Sequence, residues 1–266
     1  MQISHESPLC LLEESRKYND YDYALVHLFD SNGKYYNFFE ESLKLGRRVI
    51  LDNSIFELGT AFDAEEFSQW IHTLNPTDYI VPDVLEDCDG TIAQFESWIE
   101  NHGDLPGNKI GVVHGKTYEE MVKCYQYMER NADKIAFNFV DKVYDDFCMQ
   151  GDIGLDFGRM TGRMDLIQKM VEDGIINTNI KHHILGCVLP QAGKFYKQFD
   201  WIESVDTSNP IIHGILNIKY QEQKGLFTKN KIKMVDIFDK KVDREQWNDI
   251  QYNIEQFRKI WSINEH

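Results

Sequence analysis

The stretch VILDNSIF, residues 49–56, decides how this chain is to be read: three apolar residues end at a carboxylate, Asp52, and a polar turn follows at once. The same arrangement returns in YIVPD at Asp83, in ESVDTSNP at Asp206 and, with an imidazole in place of the carboxylate, in GVVHG at His114. In parallel sheets and barrels the carboxyl ends of the strands face one crevice, so side chains from distant positions converge there. These strand ends predict an active site built largely from carboxylates.

Working outward, apolar runs alternate with amphipathic stretches, the pattern of βαβ units and a parallel sheet. Strands are expected at Tyr23–Phe29, Arg48–Asp52, Asp78–Asp83, Lys109–His114, Lys134–Asn138, His183–Val188 and Ser204–Asp206, with a weaker eighth at Ile211–Leu216. Seven or eight such units in 266 residues fit a single-domain α/β fold, a (β/α)8 TIM-type barrel, with its core at about residues 23–216. Asp63 with Glu66 and Thr117 with Glu120 have capping-box spacing and mark two helix starts. Phe67, Trp70, Ile71 and Leu74 follow the first on one face, and Met121, Cys124 and Met128 follow the second; both are core stripes. Trp247, Ile250, Ile254, Phe257 and Trp261 recur at helical spacing and predict a long C-terminal helix packed on the outside of the barrel. Val143–Arg163, with its glycines and mixed charge, is expected as a long loop on the functional face.

An apolar fraction of 42%, with 16 Phe, 13 Tyr and 5 Trp, suffices for a large core and argues against disorder. No apolar run approaches the roughly 20 residues needed to span a bilayer, and MQISHESPLC lacks a basic region followed by an apolar stretch. A cytoplasmic protein without a membrane partner is expected. Cys10, Cys88, Cys124, Cys148 and Cys187 form no CxxC pair, so neither a disulfide framework nor a structural zinc site has its spacing.

A net charge of −16 repels nucleic acid at long range. The balance reverses locally: between Ile215 and Lys241 seven lysines, at 219, 224, 229, 231, 233, 240 and 241, face only Glu222, Asp236 and Asp239. Arg159 and Arg163 add a second basic cluster in FGRMTGRMD. Such clusters serve either as a phosphate-gripping rim or, more plainly, as a solvated face. Asp52 and Asp206 are the candidate catalytic pair, two carboxylates able to divide the roles of nucleophile and proton shuttle. Helix capping is the competing use for each of them, and turn formation after Pro82 for Asp83.

In order along the chain these segments resemble the active-site motifs of the tRNA-guanine transglycosylases. LDNSIFE (51–57) resembles their D-S-G-G-F-Q stretch, YIVPDVLED their base-recognition aspartate strand, and KIGVVHGKTYEEM their V-Q-G-G segment with its helix. HHILGCVLP resembles M-G-V-G-x-P, and ESVDTSNPIIHG the nucleophile segment F-D-C-V-x-P-T-R; the resemblance covers roughly Tyr23 to Gly214. It implies that Asp206 attacks the sugar C1′, that Asp52 is the general acid/base, and that Phe56 stacks on the purine. It further implies that Asp83 bonds a guanine-like edge and that His114 with Gly115 reads a carbonyl.

The departures from that pattern are specific. Phe137 and Asn138 stand at the family's Gly-Gly, which puts Asn138 among the base-binding positions in a bulkier pocket. The tRNA enzymes hold zinc with C-x-C-x-x-C and a later His, but no cysteine follows Cys187, so no structural zinc or other cofactor is expected. The compact, zinc-less chain is closest in character to the DNA 7-deazaguanine transglycosylases, the DpdA group of bacteriophages and bacterial modification clusters. The expected reaction is exchange of guanine in DNA for a 7-deazaguanine base, with Arg159, Arg163, Lys229, Lys231 and Lys233 on the phosphate backbone and room for a partner protein subunit. The same exchange on tRNA, base excision by water, and a non-catalytic nucleotide- or protein-binding barrel are the alternatives.

Overall fold

Eight short strands form one parallel sheet in a computed structural model that describes residues 1–148, 155–220, 226 and 232–261. They are β1 (Gln2–His5), β2 (Asp22–Leu25), β3 (Val49–Asp52), β4 (Asp78–Ile80), β5 (Asn108–Val113), β6 (Lys134–Phe137), β7 (His182–Ile184) and β8 (Ile202–Thr207). Their order is β1-β8-β7-β6-β5-β4-β3-β2, the sequential order with the first strand beside the last that defines a (β/α)8 barrel of TIM type. Helices alternate with the strands along the chain, as right-handed crossovers between parallel neighbours require. No helix among the described residues is long and apolar enough to cross a membrane.

Two expectations about elements are corrected. Ile211–Leu216 is not the eighth strand but part of a helix, Asn209–Ile215. Its residues are buried on every side, and a short apolar run cannot by itself be told from a buried strand. Gly214 explains the burial: a Cβ there would lie 2.5 Å from the backbone nitrogen of Ile250, so only glycine lets the two helices approach this closely. The eighth strand is the N-terminal QISH, whose Ser4 and His5 are buried beside β8, in register with Asp206 and Thr207. Val143–Arg163 is largely helical, in Val143–Phe147 and the start of Leu155–Glu172, with residues 149–154 outside those described.

Two compact units make up the chain, one of Met1–Asp20, Lys142–Thr178 and Ile184–His266, the other of Tyr21–Asp141 and Asn179–His183. In the second, Asp63 caps helix Ala64–Leu74 by accepting from the N–H groups of Glu65 and Glu66 at 3.0 Å. Thr117 caps helix Tyr118–Asn131 through the N–H of Glu120 at 3.2 Å. Phe67, Ile71, Met121, Cys124 and Met128 are fully buried beneath them. At the amino ends of the strands Asp78 is buried, and its carboxylate accepts from Arg48 at 2.5 Å and from Lys134 and Asn108 at 2.9 Å. Burial pushes that carboxyl's pKa up, but the two cations prevail and hold it below the usual range. In the first unit the C-terminal helix, Arg244–Trp261, buries Ile250, Ile254, Phe257 and Trp261 of the stripe read from its spacing, while Trp247 is half-buried.

Candidate active site

Asp52 ends β3, and the chain turns at once through Asn53 and Ser54 into a single helical turn, Ile55–Leu58. One carboxylate oxygen accepts from the Ser54 N–H and the other from the phenol of Tyr23 on β2. Ser54 has φ 62°, a left-handed conformation that costs a non-glycine residue about 1 kcal/mol or more. The turn is held by its surroundings: Ser54 is buried, and the Asn53 side chain accepts from the Ile55 N–H at 3.0 Å. Tyr23 is fixed in turn by its ring, which stacks on the buried ring of His183 at 5.9 Å between centroids. Phe56, four residues beyond Asp52, is 45% exposed and offers aromatic surface to solvent at the carboxyl end of β3.

Beyond β4 and β5 lies a buried ionic cluster. Asp83 accepts from Asn53 Nδ2 at 2.7 Å on one oxygen and from His114 Nε2 at 2.6 Å on the other. The His114 Nδ1 donates to Asp141 at 2.8 Å, and the second Asp141 oxygen accepts from the Gly115 N–H at 3.1 Å. Burial works against a charged imidazole, but Asp141 and then Asp83 outweigh it and push the His114 pKa up to about 10. The cluster thus sets a buried imidazole, favoured in its charged form, between Asp83 and Asp141.

This geometry gives three of the expected base-binding residues partners within the protein. His114 is wholly buried and directs both ring nitrogens at carboxylates, so it has no N–H left to read a purine carbonyl. The Gly115 N–H belongs to Asp141; a Cβ at Gly115 would come within 2.8 Å of the Met121 backbone nitrogen, which is why glycine stands there. Asn138 donates to the Val113 carbonyl at 2.7 Å and accepts from the N–H groups of Val140 and Asp141 at 2.8 and 3.0 Å, so it builds the turn that carries Asp141. These residues position carboxylates. Asp83, with two of its roughly four acceptor positions occupied, keeps capacity for further N–H donors.

The raised pKa makes a stability prediction. A group protonated more strongly in the folded state stabilises the fold fully below its unfolded pKa, here 6.5, and loses that contribution as pH rises through about 10. Wild-type stability in urea titrations should therefore decline relative to His114→Gln across this window, by up to about 1.4 kcal/mol per pH unit. Below pH 6.5 the variant should be less stable by about 3–5 kcal/mol, since it leaves carboxylates buried without their cation. A gap between the two proteins that stays constant with pH would mean that His114 is neutral.

The other unit carries Asp206, in β8 and 4% exposed. Its two carboxylate oxygens lie 3.0 and 3.2 Å from the N–H of Gly186, which has φ 59° and therefore suits glycine. After it, Thr207 donates to the Cys187 carbonyl at 2.6 Å and Asn209 to the Val188 carbonyl at 2.5 Å, fastening β8 to the segment that follows β7. Pro210 then enters the first turn of helix Asn209–Ile215, where its missing N–H costs nothing.

Of the basic residues expected on a phosphate backbone, the two arginines have partners within the protein. Arg163 is fully buried, with Nε donating to the Tyr196 hydroxyl at 3.0 Å and Nη1 to the Leu185 carbonyl at 2.7 Å, so it is not a surface phosphate contact. Arg159 forms a two-pronged pair with Asp145 at 3.0 and 2.7 Å, and Lys219 pairs with Asp249 at 3.1 Å. Lys233 is half-buried at the start of a short helix, Met234–Ile237; Lys229 and Lys231 lie outside the described residues.

Tyr23, Asn53 and Asp141 are the site residues that the sequence reading passed over. Asp141 had a signal, since IAFNFVD (135–141) is one more apolar run closed by a carboxylate. Tyr23 had none, because its partner lies 29 residues away on the neighbouring strand. Among the described residues no group of three or more His, Cys, Asp and Glu side chains is arranged to hold a metal ion. No family model matches this chain, and no curated protein matches it either.

Proposed function

We propose that the protein exchanges a guanine base in nucleic acid for a 7-deazaguanine, with DNA as the favoured polymer, through a covalent intermediate on Asp206. The observation that supports this reading is that two strand-end carboxylates, Asp52 on β3 in one unit and Asp206 on β8 in the other, are each gripped by a backbone N–H of the turn or loop beside it. Carboxylates fixed in this way suit an oxocarbenium-like sugar centre, which one of them stabilises and traps while the other moves a proton. In the proposed sequence Asp206 bonds to C1′ as the bond from C1′ to the purine nitrogen breaks, and Asp52 gives the departing purine its proton. The incoming base returns a proton to Asp52, bonds to C1′ and releases the Asp206 carboxylate. Phe56 supplies a stacking face and Asp83 the acceptor for the guanine-like N–H edge. Reaching the bond within a duplex requires flipping the nucleotide out of the stack.

The test is mass spectrometry of nucleosides from DNA and tRNA of cells that express the protein. A 7-deazaguanine nucleoside in DNA, absent with Asp206→Asn, is the expected result. The same nucleoside in tRNA alone would move the substrate to RNA; abasic sites without a new nucleoside would make the reaction excision. Unaltered DNA and tRNA, with the 7-deazaguanine base supplied, would contradict the reading.

A further inference from the structure

Arg163 and Asp206 are joined through one peptide group. The carbonyl of Leu185 accepts from Arg163 Nη1 at 2.7 Å, and the N–H on the far side of that same amide, Gly186 N, lies 3.0 and 3.2 Å from the two oxygens of Asp206. We infer that Arg163 is a positioning residue for Asp206, acting through the Leu185–Gly186 peptide; for catalysis the inference rests on the reading of Asp206 as nucleophile.

An amide is a planar, conjugated group, so a cation at its oxygen draws electron density from its nitrogen and makes the N–H a stronger donor. The series guanidinium, amide, carboxylate is thus polarised in one direction from end to end. It fixes where the carboxylate points. The left-handed φ of Gly186, 59°, belongs to the residue that supplies this N–H to Asp206.

The cation is built in. The cost of burying the guanidinium is offset in part by the Tyr196 hydroxyl, which accepts from Nε at 3.0 Å, and by the Tyr196 ring, 5.6 Å from the guanidinium carbon. Helix Leu155–Glu172 is held close to its neighbour at the preceding residue: a Cβ on Gly162 would fall 1.8 Å from the Tyr144 carbonyl oxygen. Tyr196 ends a short helix, Gly193–Tyr196, whose Gly193 is pressed against the Trp261 ring, with a Cβ there 2.6 Å from it. The peptide that this cation holds is one that grips Asp206.

The test separates this coupling from the proposed reaction. Labelling with carbonyl-13C leucine and 15N glycine restricts the NMR spectrum to the three Leu-Gly pairs, at 45–46, 58–59 and 185–186. In the free protein the Gly186 amide proton should move upfield and exchange faster in Arg163→Met, with smaller changes in Arg163→Lys, while the other two signals stay in place. With substrate, Arg163→Met should form the Asp206 adduct about tenfold more slowly, the effect of losing one charge-assisted hydrogen bond. The loss should fall on kcat with KM nearly unchanged, and Arg163→Lys should recover part of it. A folded Arg163→Met with an unmoved Gly186 signal would overturn the coupling even if base exchange is real. Should Arg163→Met not fold, Arg163→Lys decides by the same signal. A responsive Gly186 signal in a protein that exchanges no base would sustain the coupling and remove its catalytic purpose.

Discussion

Asp206→Asn is expected to abolish both guanine release and the denaturant-resistant adduct with nucleic acid. The substitution keeps the shape of the side chain and leaves an oxygen able to accept from the Gly186 N–H, so β8 and its bonds to the segment after β7 should survive. What it removes is the negative charge opposite an oxocarbenium-like carbon and the atom that bonds to it. The two losses fall on one step, so no partial reaction should remain. Gel analysis of denatured mixtures and release of labelled guanine measure the two readouts independently. Near-normal turnover in a correctly folded variant would rule out double displacement on Asp206.

Asp52→Asn is the second large effect, a fall in the exchange rate of roughly 10²- to 10⁴-fold, the range for a lost acid/base. The amide can still accept from the Ser54 N–H, while its NH2 group can face the Tyr23 hydroxyl, so the strand end should keep its form. The proton relay is lost and the nucleophile is not: the covalent adduct should still form, slowly, which distinguishes this variant from Asp206→Asn. Tyr23→Phe should give a smaller fall, since it removes one donor and leaves the carboxylate. Single-turnover kinetics at several pH values check both. An Asp52→Asn enzyme with an unchanged pH profile would assign the proton transfer to another group.

Much of the barrel was legible because β3, β4, β5, β6 and β8 are apolar runs that stop at polar residues, and their burial writes itself into the sequence. β1 was not, since QISH carries one large apolar residue and its burial comes from pairing with a strand some 200 residues away. NPIIHGI was misread because burial on all sides erases helical periodicity, although Ser208, Asn209 and Pro210 carried a helix-start signal. The strand-end carboxylates were readable one by one. The work of His114, Gly115 and Asn138 was not, because it depends on Asp141, which only the turn after β6 brings opposite them. Arg163 stands four residues from Arg159 on the same helix, yet one pairs with Asp145 and the other is enclosed. Arginine is so rarely buried that sequence alone places it outside.

The most direct measurement of the central claim is made with purified protein, DNA carrying radiolabelled guanine, and a 7-deazaguanine base. Labelled guanine should leave the polymer in step with incorporation of the 7-deazaguanine, one for one, and a peptide bearing the trapped sugar should map to Asp206. Guanine release without incorporation would contradict exchange, and a trapped sugar on any other residue would contradict the assignment of the nucleophile.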